Sequence, residues 1–153
     1  MGNTLIYTSS WSTVLPESCA RIGISRGVRN QPAGYRLYRA LQPDPQWRNC
    51  ASNTEFKSRY FALLDQLCPQ RVVLDLVRIA DGKTPVLLCW EPPGHPSKWC
   101  HRGLAAAWLH DELGLRVCEY GHEAEGWGWA HPLLPPEFRQ PATLGTQRGC
   151  AIH

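Results

Sequence analysis

The chain has 153 residues, of which 43% are hydrophobic and 19% charged, with a formal net charge of +3. Those proportions exclude a disordered chain, and no apolar run approaches the roughly 18 residues of a membrane span. Seven cysteines, an odd and scattered set, argue against a disulfide framework.

In chain order, Leu5-Ile6-Tyr7-Thr8 reads as a first short strand and residues 20–26 as a second. The stretch MGNTLIYTSSW lacks the basic-then-apolar pattern of an export signal. A cytoplasmic location with reduced cysteines is therefore the expectation. Residues 27–50 are rich in Gly, Pro and Arg and read as a long functional loop. Between Arg21 and Arg48, six arginines face one acid, Asp44, with Tyr35, Tyr38 and Trp47 interleaved. Arginine forks grip phosphates and aromatic faces stack on bases, so Arg26, Arg29, Arg36 and Arg39 are candidate phosphate contacts.

Ser52 with Glu55 fits a capping box, and Phe56, Tyr60, Leu63, Leu64 and Leu67 follow at helical spacing. Pro69 suits the first position of a second helix, with a stripe at Val72, Val73, Leu76, Ile79 and Ala80. Residues 85–90 form an almost continuous apolar run, as in a strand covered on both faces. A loop, a helix over 100–113 stopped by Gly114, and a strand over 115–120 come next. Residues 123–153 are rich in Gly, Pro and Trp and read as an irregular arm with a frayed end. The expectation is one α/β domain over 1–122, small, Rossmann-like and three-layered with a mainly parallel sheet, followed by that arm.

The stretch LLCWEPPGHPSKWCHRG falls on the strand-to-helix loop at the carboxyl edge of the sheet, where open α/β folds bind ligands. Cys100, His101 and Arg102 stand on the first helical turn, whose amides and dipole favour an anion. Three chemistries compete there. Zinc is disfavoured because no Cys-x-x-Cys knuckle exists and adjacent Cys100 and His101 would point apart from a helix. No metal or other cofactor is expected. A thiolate at Cys100 gains from the helix start, yet the loop lacks a phosphate-cradling run after it. The third places Glu91 as a carboxylate against a sugar cation, with His101 as proton donor.

The Leu87-Leu88-Cys89-x-Glu91 strand end and the Cys100-His101-Arg102 helix start resemble the domain-of-unknown-function-488 family. Gly114 and the strand after it, and Ile24-Ser25-Arg26 early on, extend the resemblance over roughly residues 4–122. It implies a compact Rossmann-like domain and leaves the reaction open. The expected function is an enzyme on a phosphate-bearing substrate, nucleic acid or nucleotide, hydrolase- or glycosidase-like, cleaving an N-glycosidic bond or repairing a base. Glu91, His101 and Cys100 would do the chemistry; Arg26, Arg102, Cys89, Arg29, Arg36 and Arg39 would hold the substrate. The alternatives are a non-catalytic nucleic-acid-binding module and a cysteine-based redox or metal protein. No membrane partner is expected.

Overall fold

An apolar run buried on both sides must have layers on both sides, and residues 85–89 meet that condition. The computed structural model describes residues 4–26, 34–94 and 98–141, without the side chains of Arg48 and Asn49. In chain order they form β1 (Tyr7–Ser10), β2 (Cys19–Gly23), β3 (Arg36–Leu37), α1 (Asn53–Leu64), α2 (Pro69–Ala80), β4 (Thr84–Cys89), α3 (His101–Leu113) and β5 (Cys118–Glu119). The strands make one sheet in the order β3-β2-β4-β1-β5. Every pairing is parallel. This is a Rossmann-like α/β domain. Among the described residues no helix is long and apolar enough to cross a membrane.

Side chains alternate across a strand, so Leu87 and Cys89 face one way and Val86 and Leu88 the other. Leu87 joins Ile22, Tyr60, Val72, Leu76 and Leu104 in the main core, beneath the helices. Val86 and Leu88 join Leu15 and Cys19 in a smaller core, with Trp11 packed against it. The segment 11–18 thus covers the second face. Gly23 is required there, because a Cβ would lie 2.5 Å from the Trp11 ring.

Local chemistry sets the helix ends. Ser52 Oγ accepts from the Glu55 N–H (3.1 Å), and the Glu55 carboxylate accepts from the Ala51 N–H (2.9 Å), one residue before the cap. Such a cap contributes about 1 kcal/mol. Pro69 opens α2, whose buried stripe is Val72, Val73, Leu76 and Ala80. The first nine residues of α3, His101 to Leu109, are all buried, so this helix is central. Gly114, at φ 70°, ends it.

Three differences from the sequence reading have plain causes. The region read as a loop over 27–50 contains β3 and two 3-10 turns, Arg39–Leu41 and Pro45–Asn49. The first strand starts two residues later than expected, at Tyr7, where pairing with Val86 begins. The last strand shrinks from 115–120 to two residues. Leu115 still belongs to the exit from α3, its carbonyl near the His110 ring (3.2 Å), and Gly121 at φ 80° turns the chain away.

The described part of the arm, residues 123–141, packs along α1 and α3. Trp129 stacks on Phe61 of α1, with centroids 5.6 Å apart. Trp127, Leu133 and Leu134 are buried. The frayed end expected beyond residue 141 lies outside the described residues.

Candidate functional site

The chain leaves β2 toward β3 on one side of the sheet, and leaves β4 toward β5 on the other. Between two such strands a crevice opens at their carboxyl ends. A cleft of about 390 Å³ lies there, lined by Ser25 and Arg26 after β2 and by Trp90 and Glu91 after β4. Cys100 and His101 at the start of α3 border it too, with Pro43, Phe56 and Trp99. Phe56 and Trp99 meet edge to face at 5.1 Å. Four residues singled out in the sequence, Arg26, Glu91, Cys100 and His101, therefore share one wall.

Cys89 ends β4 and points to the helix side; Cys100 is the N-cap of α3. The two are paired as a disulfide with Cα atoms 7.1 Å apart, which corrects the expectation of reduced cysteines at these two positions and leaves Cys100 no free thiolate in this state. His101, also buried, has Nε2 2.6 Å from the Ile24 carbonyl. A carbonyl only accepts, so Nε2 carries the proton and Nδ1 is bare. Nδ1 lies 3.7 Å from Cys100 Sγ. Burial lowers the His101 pKa to about 4, the Ile24 bond opposes this, and the Arg102 charge adds to it. At neutral pH the ring is uncharged. His101 is therefore no proton donor, which corrects the role expected from its position beside Glu91.

Of the two grounds against a metal, the divergence of Cys100 and His101 does not hold. Cys100 and His101 would diverge if both were helical, but Cys100 is extended, at φ −143° and ψ 150°. Its sulfur turns to the same side as the ring. One potential ligand atom each from Cys89, Cys100 and His101 lies within 4.8 Å of the others.

Arg102 requires a second correction. It is fully buried and donates inward. Nε and Nη2 donate to the two carboxylate oxygens of Glu119 (3.0 and 2.8 Å), Nη2 also to the Glu91 carbonyl (2.7 Å), and Nη1 to Cys89 Sγ (3.2 Å). A guanidinium so occupied offers no fork to a bound anion. The helix start is occupied as well. The Cys100 N–H donates to the Leu133 carbonyl (2.9 Å), and a Cβ on Gly103 would meet Leu133 and Leu134 backbone at 2.7 Å. Cys89 is fully buried and cannot contact an anion either.

Glu119, missed in the sequence, anchors a buried polar chain. His131 Nδ1 accepts from the Leu133 N–H (3.0 Å), so its Nε2 carries the proton and donates to Thr8 Oγ1 (2.7 Å). The Thr8 hydroxyl in turn donates to Glu119 Oε1 (2.8 Å). Burial, with Arg102 and Arg139 nearby, holds the His131 pKa well below the usual histidine range. This chain ties β1, β5, α3 and the arm together behind the cleft.

Of the remaining arginines, Arg26 is exposed on the cleft wall. Arg36, on edge strand β3, and Arg39 are exposed outside that wall. Arg29 lies outside the described residues. No protein-family model, curated protein or solved structure matches the chain.

Proposed function

We propose that the protein is a cytoplasmic enzyme that acts on a nucleotide or nucleic acid by cleaving an N-glycosidic bond in this cleft. The observation that carries the reading is one crevice walled by Phe56, Trp90 and Trp99, with Arg26 and Glu91 beside them. Flat rings stack on a base in a sequence-tolerant way, and an arginine fork suits a phosphate. Glu91 is the carboxylate available to stabilise a sugar cation. Water then adds to the sugar carbon, its hydroxyl staying there while its proton ends on the departing base. Glu91, Cys100 and His101, which share in the resemblance to the domain-of-unknown-function-488 family, border the same cleft.

The test combines equilibrium binding with single-turnover assays on oligonucleotides and free nucleotides. Glu91→Gln keeps the shape and removes the charge, so affinity should persist while turnover is lost. Arg26→Ala should weaken binding and flatten its salt dependence. Turnover unchanged in Glu91→Gln, with binding lost on substitution of Arg26, Arg36 or Arg39, would favour a non-catalytic binding module. Absence of binding to any of these substrates would overturn the reading.

A further inference from the structure

Two sulfurs and a bare imidazole nitrogen meet beside the cleft, and two of the three groups are held by a neighbour. The Ile24 carbonyl fixes the tautomer of His101 so that Nδ1 faces Cys100. Arg102 Nη1 donates to Cys89 Sγ, which holds that sulfur in place. Both are the outer contacts that orient ligands around a metal.

We propose that Cys89, Cys100 and His101, with the cysteines reduced, form a three-ligand site for a soft divalent cation, zinc. Two sulfurs and one imidazole suit zinc, and three protein ligands leave one tetrahedral position open. That position falls on the cleft side, since Cys100 and His101 border the cleft while Cys89 is sealed behind them. Water or a bound ligand would complete it. The site stands independently of what the cleft binds.

Spacing favours a bridging ion over a direct sulfur–sulfur link. Disulfides usually hold their Cα atoms about 4.4–6.8 Å apart. Here the separation is 7.1 Å. In a zinc tetrahedron the sulfur–nitrogen edge is about 3.5 Å, from Zn–S of about 2.3 Å and Zn–N of about 2.0 Å. Cys100 Sγ and His101 Nδ1 are 3.7 Å apart. Charge also balances. Two thiolates and one zinc ion sum to zero beside a neutral imidazole, and Arg102 is already neutralised by Glu119. A buried cluster of zero net charge avoids the desolvation cost of an unpaired ion.

The link must open first. A dithiol reductant gives two electrons and two protons to the Cys89–Cys100 bond, yielding two thiols and its own cyclic disulfide. Zinc then displaces both thiol protons to solvent.

The experiment uses the full chain, reduced, stripped with a chelator, and titrated anaerobically with Co²⁺ and then Zn²⁺. One Co²⁺ per chain should bind, giving tetrahedral visible bands and a sulfur-to-metal charge-transfer band, both bleached by Zn²⁺. Cys89→Ser/Cys100→Ser should lose the charge-transfer band, and Cys68→Ser should keep it. His101→Gln should weaken Co²⁺ binding at least about 10-fold, the lower bound seen for mere outer contacts. A reduced, folded chain that takes up no Co²⁺ would overturn the proposal. So would a charge-transfer band surviving in the double variant.

Discussion

Replacing Arg102 by methionine isolates the buried ion pair behind the cleft. The guanidinium makes two bonds to Glu119, one to the Glu91 carbonyl and one to Cys89 Sγ, and both charged partners are fully buried. Without it, Glu119 Oε2 loses its arginine donor and Oε1 keeps the Thr8 hydroxyl. Stranding one charge of a buried pair costs about 3–5 kcal/mol. Domains of this size hold roughly 5–15 kcal/mol in total. At roughly 2–4 °C per kcal/mol, the melting temperature should fall by roughly 6–20 °C. Arg102→Met/Glu119→Leu removes both charges, and Thr8 can turn to the Cys118 carbonyl 3.4 Å away. Most of the loss should then be recovered, so the two substitutions should be strongly non-additive. Urea and thermal denaturation by circular dichroism, with all variants in one redox state, measure both effects. A single variant that loses less than about 1 kcal/mol, or a double variant that simply adds the two losses, would refute the reasoning.

Two further outcomes follow from the same region. His131 is held neutral in the fold, whereas an unfolded histidine protonates near about 6.5. Below that pH the unfolded chain binds the extra proton, so stability should be complete above it and decline as pH falls. His131→Gln should flatten this decline in urea midpoints between neutral and mildly acidic pH; an unchanged slope would exclude His131 as a source. Gly103→Ala drives a methyl onto Leu133 and Leu134 backbone atoms at 2.7 Å and should cost about 1–3 kcal/mol. A melting temperature equal to or above that of the parent would show that the arm yields at this point.

Residues whose signal is local were readable in the sequence. Ser52, Pro69 and Gly114 act on neighbours in the chain, and each sits at the expected helix end. The carboxyl edge of β4 was readable as well, because an apolar run followed by a polar loop defines it. Arg102 was misread for the opposite reason. Its partner Glu119 is 17 residues away on strand β5, and a lone acid between Cys118 and Tyr120 looks like an exposed strand position. A usable signal did exist, since Val117 and Glu119 share a face and Val117 belongs inward. The divergence expected of Cys100 and His101 assumed that the helix begins at Cys100. One residue at the cap, where boundaries are least legible, decides whether the two side chains meet.

The polar chain behind the cleft also bears on how the molecule folds. The Thr8 hydroxyl engages residues 111 and 123 positions further along the chain, so these bonds form only after very long loops close. β1, seated between β4 and β5, inherits the same constraint. Helices α1 and α2 with the β2–β4 pair can assemble from nearer contacts, leaving the slot for β1 open until late. Long-range parallel pairing of this kind is slow. A refolding intermediate with formed helices and an unfilled central slot is the expected consequence, and its exposed strand edges make it the aggregation-prone species.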